Sequence, residues 1–327
     1  MMRRITTAAF LLVVCLLLEG GCGHKSAEVP SSGAESPHLL TVAVIPKGTT
    51  HVFWQSIRAG AEDAGKEFNC RIYWTGPERE GDRERQIQIV EDVVVQQVDG
   101  VVLAPLDFKA LVPSVEKLAE RKIPCVIVDS GIDTDQYVTF AATDNYKGGV
   151  LAAQRMGKIL NGKGNVLVLR YAVGSASTEN RERGFLDTIQ KDFPDIKIVD
   201  TKYGLDTVET ALQAAEDLLT RNKDAQGFFA CNESTTVGTL QALQSQRRSE
   251  IKVVGFDSSP ALLDGLKSGQ IDALVVQNPY KMGYEGVKAV VSAINGKSVP
   301  KKIDTGVELI TKESLGDPAV RSLLHIQ

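Results

Sequence analysis

The chain is poor in the residues on which enzymes and metal proteins depend. Of its 327 residues, 4 are His and 5 are Cys. No nucleophile, base and orienting group can be assembled from so few imidazoles. His38 and His51 are isolated and form no metal constellation. Cys15 and Cys22 fall near the N-terminus. Cys70, Cys125 and Cys231 are far apart and contain no CxxC pair, so neither a disulfide framework nor a zinc site is supported. Cys125 lies in the apolar run Ile123-Pro-Cys-Val-Ile-Val-Asp129 and reads as a buried small hydrophobe. The glycines spell no GxGxxG, no GxxxxGK[ST] and no GxSxG, which removes dinucleotide binding, a P-loop and a hydrolase elbow. A net charge of -4 gives no basic footprint for nucleic acid. No cofactor and no metal are expected.

What is present begins at the N-terminus. Arg3 and Arg4 precede an apolar run from Ala8 to Leu18, closed by Glu19. That run is too short to span a bilayer and fits the core of an export signal. No later stretch is long and apolar enough for a transmembrane helix. Leu18-Glu19-Gly20-Gly21-Cys22 is similar to a bacterial lipobox, with Glu19 standing where Leu is usual. Residues 1–22 are expected to be the signal peptide and Cys22 the site of lipidation; ordinary signal cleavage nearby is the other reading. Residues 23–38, rich in Ser, Gly, Ala, Pro and Glu, read as a flexible tether.

From Leu39 onward, short apolar runs alternate with amphipathic helical patterns. Strands apolar on both faces, joined by helices, imply parallel sheets covered on either side. Two such series imply an α/β protein of two doubly wound lobes. The first lobe is expected over 39–143 plus 277–304, the second over 144–276 plus 305–327. The crossovers then fall near Thr143, Val276 and Thr305. The strands end in Lys47, Asp107, Asp129, Arg170, Asn232, Asp257 and Gln277. In an open parallel sheet those ends rim the ligand crevice. Taken singly, each could equally mark where a strand meets water. Asp257-Ser-Ser-Pro also reads as a helix start, and Asn232-Glu233-Ser234 as a cap cluster. Asp107 and Asp144 read as turn or hinge residues.

Eight local motifs, in order, resemble the ribose/allose type of periplasmic sugar-binding protein, whose fold is shared with the core of lactose-repressor-type regulators. They are Val42-Ala-Val-Ile-Pro-Lys-Gly-Thr-Thr-His-Val-Phe-Trp54, Asp99-Gly-Val-Val-Leu-Ala-Pro105, Ile123 to Asp129, Asp144-Asn-Tyr-Lys-Gly-Gly149, Arg181-Glu-Arg-Gly-Phe185, Phe229-Ala-Cys-Asn-Glu233, Val254-Gly-Phe-Asp257 and Val276-Gln-Asn-Pro279. The resemblance implies a type I periplasmic binding fold with a three-strand hinge. It also implies capture of a monosaccharide or polyol by lobe closure, without catalysis.

Carried over by position, Phe53 and Trp54 match the rings that stack on the sugar. Lys47 matches a strand-end Lys of allose- and arabinose-type binders. Asp129, Arg181, Asn232, Asp257 and Gln277 match the polar clamp, and His51 stands where an Asn is usual. Rings pack on sugar C–H faces. Carboxylates accept from hydroxyls, Lys and Arg donate, and amides do both. Ser130 replaces an Arg of ribose binders, and Ala104 an Asn. The second lobe's expected aromatic aligns with Leu205, with Tyr203 nearby. The implied partners are a sugar, an ABC permease in the inner membrane, and the membrane through a lipid anchor; nucleic acid is not among them and a monomer is expected. A binding protein that signals to a membrane histidine kinase or chemoreceptor is the alternative. A repressor is disfavoured by the export signal, which stands where a helix-turn-helix would be.

Overall fold

The computed structural model describes residues 38–324. The expected signal peptide, Cys22 and the expected tether up to residue 37 lie outside the described residues.

The first part of the chain runs β1 (Thr41–Ile45), α1 (Val52–Glu67), β2 (Arg71–Trp74), α2 (Arg83–Val95), β3 (Gly100–Leu103), α3 (Val112–Glu120), β4 (Cys125–Val128) and β5 (Phe140–Ala142). It continues with α4 (Asn145–Ile159), β6 (Lys163–Arg170), α5 (Ala176–Asp192), β7 (Asp195–Tyr203), α6 (Val208–Arg221), β8 (Gly227–Ala230), α7 (Glu233–Ser245), β9 (Lys252–Phe256), α8 (Pro260–Ser268) and β10 (Ala273–Gln277). Then come α9 (Pro279–Ile294), β11 (Lys302–Asp304), β12 (Val307–Ile310), a 3-10 turn and α10 (Pro318–Leu323).

The strands form two six-stranded sheets, ordered β11-β5-β4-β3-β1-β2 and β12-β10-β9-β8-β6-β7. Every pairing in the first is parallel. In the second only the edge strand β12 runs antiparallel. The fold is thus two α/β lobes, and the chain passes between the sheets three times, at 143–144, at 278 and at 305–306. The short strands β11 and β12 were not read from the sequence; each adds one edge to a sheet already built.

Alternation explains the layers. In β1, Val42 and Val44 enter one core while Ala43 and Ile45 enter the other. In the second lobe Val166 and Val168 face one side of β6, Leu167 and Leu169 the opposite side. Strands buried on both faces need helices on both, which the crossovers supply. Cys70, Cys125 and Cys231 are buried free thiols. Burial pushes Cys125 up to about 12, so it packs as a hydrophobe and stays protonated.

Two helix pairs pack unusually close. A Cβ on Gly60 would sit 2.0 Å from the Tyr280 carbonyl oxygen, and one on Gly283 2.0 Å from that of Ile57, which brings α1 onto α9. In the second lobe Gly149 and Gly184 do the same for α4 and α5, against Arg181 and Tyr146. The second pair fixes where α5, and therefore Arg181, enters the gap between the sheets.

Candidate functional site

The carboxyl ends of β1, β4, β8, β9 and β10 deliver side chains to one small, tightly lined cavity. The structure brings together all nine residues carried over from the sequence: Lys47, His51, Phe53, Trp54, Asp129, Arg181, Asn232, Asp257 and Gln277 line it. Glu80, Tyr171, Ser177, Thr178 and Glu233 line it too. Two of the strand-end polar residues do not. Asp107 accepts from the amides of Lys109 and Ala110 and pairs with Arg83. Arg170 pairs with Glu182 at 2.6 Å and lies over the Tyr203 ring.

Asp129 and Asp257 occupy matching places, one residue past β4 and one past β9, with φ of 59° and 70°. Left-handed backbone costs a non-glycine residue about 1–2 kcal/mol, and Asp tolerates it better than most. The turn aims each carboxylate toward Arg181 instead of along its strand. Asp257 does not cap the helix that follows it. It accepts from the Glu233 amide at 2.9 Å and from Gln277 Nε2 at 2.6 Å. Burial raises its pKa, helped by the charge of Asp129 and opposed by Arg181 and Gln277.

Arg181 sits between the two carboxylates, 4.0 Å from Asp129 and 3.9 Å from Asp257. Its Nε donates to Asn145 Oδ1 at 2.7 Å and its Nη1 to the Cys231 carbonyl at 3.0 Å. The guanidinium lies 4.1 Å over the Phe256 ring. These contacts fix the fork and keep a buried charge paired. Asn232 holds two roles, since its side chain caps α7 at Thr235 and also faces the cavity.

The other wall is aromatic. Phe53 and Trp54 meet edge to face with centroids 4.9 Å apart. Trp54 is buried, and its Nε1 donates to Glu80 Oε1 at 2.6 Å. The same oxygen lies 2.8 Å from His51 Nδ1. Burial lowers the His51 pKa, but Glu80, with Glu233 and Asp257 behind it, outweighs that and raises it to about 9. Burial raises Glu80, and His51, Lys47 and Trp54 reverse this and hold it at about 2. Both are therefore ionised at neutral pH. Glu233 reaches across from the second lobe to accept the Phe53 amide at 3.1 Å. Burial and the neighbouring Asp257 push it to about 7, against the Phe53 amide and His51.

The aromatic expected near Leu205 is not there. Leu205 is half exposed with φ of 60°, and Tyr203 lies beneath Arg170. The second lobe's ring is Tyr171, one residue past β6, buried with its hydroxyl facing Glu80. Its sequence signal was the strand end itself: Arg170 drew attention as the polar terminus, and the next residue faces inward. Glu80 lies in a loop with no periodicity to reveal it.

A family model described as the periplasmic binding protein domain matches residues 42–298. The chain belongs to that family. This periplasmic binding protein is 29% identical over 325 residues to a D-ribose/D-allose-binding protein of Pseudomonas aeruginosa, covering 95% of this chain and 99% of the relative. It is 29% identical to the D-allose-binding periplasmic protein of Escherichia coli, covering 79% and 86%. Among solved structures, a carbohydrate transporter solute binding protein from Agrobacterium radiobacter in complex with D-arabinose matches with a TM-score of 0.86 at 36% identity, covering 88% of this chain and 100% of that one. An ABC transporter solute binding protein from Agrobacterium vitis with bound D-fucose matches with a TM-score of 0.83 at 36% identity, covering 87% and 99%. Periplasmic binding proteins work outside the cytoplasm, and that is where this chain belongs.

Proposed function

We propose that the cleft captures a monosaccharide or related polyol by closure of the two lobes, making and breaking no covalent bond, and that the closed form delivers it to an ABC permease. One observation carries this reading. A ring pair from the first lobe and a fixed carboxylate–guanidinium–carboxylate array from both lobes converge on one small cavity. Flat rings suit sugar C–H faces, and ionised hydrogen-bonding groups suit a belt of hydroxyls. The sugars named for the similar proteins support the same chemistry. Contacts to both lobes at once let a ligand favour the closed state. A lipid at Cys22, a monomeric mature chain and a flexible tether complete the proposal, and they would hold the receptor beside its permease.

The test is a thermal-shift screen of the mature protein against pentoses, hexoses and polyols. A true ligand at a hundred times its dissociation constant adds about 2.7 kcal/mol of stability. Asp257→Asn keeps the left-handed turn and removes the charge, so it should abolish the shift with little change in the free protein. Arg181→Ala is a poorer probe, because it also strips Asn145 and the Cys231 carbonyl of their partner. A normal shift in Asp257→Asn would refute the clamp.

A further inference from the structure

The ammonium of Lys47 has three protons to donate, and three protein oxygens surround it. Asp129 Oδ2 lies at 3.2 Å, Ser175 Oγ at 3.2 Å and Ser177 Oγ at 3.1 Å. Asp129 belongs to the same lobe as Lys47. The two serines come from the start of α5 in the other lobe. Beside them Ser177 donates its backbone amide to Ser130 Oγ at 3.1 Å, again across the gap. All are buried: Lys47 is 3% exposed, Asp129 3%, Ser130 0%, Ser175 1% and Ser177 2%.

We infer that Lys47, Ser130, Ser175 and Ser177 form a clasp that closes the lobes directly on each other, making Lys47 a positioning residue rather than a donor to the ligand. The inference deepens the capture reading and rests on it. A donor set already spent on protein oxygens has nothing left for a sugar hydroxyl. The clasp also accounts for Ser130. An Arg at that position, as in the ribose binders the sequence resembles, would occupy the space where the start of α5 comes in. A side chain of one carbon and one hydroxyl leaves room for it and accepts its amide. The clasp therefore closes the cavity on the side of Lys47, and the ligand is left to Trp54, His51, Arg181, Asn232 and Asp257. Its energetic effect on closure is moderate, because an open cleft returns Lys47 to water.

The experiment compares wild type, Lys47→Met, the Ser175→Ala/Ser177→Ala double variant, the triple variant and Ser130→Arg. Small-angle scattering of sugar-free protein gives the radius of gyration, and calorimetry with D-ribose, D-allose and D-arabinose gives affinity. Lys47→Met and the serine double variant should each enlarge the sugar-free radius and each weaken affinity by about tenfold, the loss of one charge-assisted bond. The triple variant should be no worse than Lys47→Met, and Ser130→Arg should enlarge the radius as well. A serine double variant that scatters and binds like wild type, beside a Lys47→Met that binds nothing, would overturn the clasp and make Lys47 a ligand donor. Should Lys47→Met not fold, the serine variant decides. If none of the three sugars binds wild type, the capture reading is damaged, yet the sugar-free radii still decide the clasp.

Discussion

Asp129 and Asp257 hold strained backbone one residue past two equivalent strands, and that shared strain is the clearest residue-level mark of a built site. Charge is the second mark. The His51–Glu80 pair and Glu233 titrate in opposite senses around the Phe53–Trp54 corner. His51 is raised from its ordinary 6.5 to about 9, so its stabilisation is complete below 6.5 and is lost as pH rises through 9. Glu80 is lowered from 4.5 to about 2, so its share is complete above 4.5 and lost as pH falls through 2. Glu233 is an acid raised from 4.5 to about 7, so its share is present below 4.5 and lost as pH rises through 7. Free-protein stability should therefore fall in two steps between pH 4.5 and 9, each roughly 3 kcal/mol at most. Urea unfolding across that range should show the lower step vanish in Glu233→Gln and the upper step vanish in Glu80→Gln. Retention of both steps in both variants would disprove the assignment.

Elements place these residues through a few close approaches. Gly149 and Gly184 let α4 and α5 touch backbone to backbone, and Gly60 and Gly283 do so for α1 and α9. Gly149→Ala or Gly184→Ala should cost about 1–3 kcal/mol by overpacking and should displace Arg181, lowering sugar affinity as well as the denaturant midpoint. Gly60→Ala should cost similar stability with less effect on affinity. Gly174 tests the rim. Its φ is 93°, its carbonyl accepts the Phe108 amide at 2.9 Å across the gap, and a Cβ there would lie 2.2 Å from Asp107 Oδ2. Gly174→Ala should prop the lobes apart, read as a larger radius of gyration in saturating sugar.

The strands were legible as short continuous apolar runs, and the helices by their amphipathic period. The runs at Val42, Val101, Val126, Val166, Phe228 and Val253 are apolar on both faces, which a parallel sheet requires. Strand-end polarity pointed at Lys47, Asp129, Asn232, Asp257 and Gln277. By itself it could not separate them from Arg170, whose partner Glu182 is set by tertiary contact; Asp107 already read as a turn residue, and it accepts from the Lys109 and Ala110 amides. Tyr171 and Glu80 escaped notice, and Glu233 was read only as part of a cap cluster, for a related reason. A residue just past a strand, in a loop or at the first turn of a helix has no period, and its neighbours across the gap are distant in sequence.

At the scale of the whole molecule, two similar lobes meet through pairs that cross the gap: Lys47 with Ser175 and Ser177, Phe53 with Glu233, Phe108 with Gly174, and Arg79 with Asp206 at 3.2 Å. The Arg79–Asp206 pair is exposed on its arginine side and is worth at most about 1 kcal/mol. Its removal by Asp206→Asn should leave affinity within about fivefold at physiological salt. The buried pairs and the ligand do most of the holding. The most direct measurement of that claim is calorimetric titration of the mature protein with a panel of aldopentoses and aldohexoses, in wild type and in Asp257→Asn. The account predicts saturable one-to-one binding of at least one sugar by wild type and none by the variant. A folded wild-type protein that takes up no sugar in the panel, or an Asp257→Asn protein that binds as tightly as wild type, would contradict it.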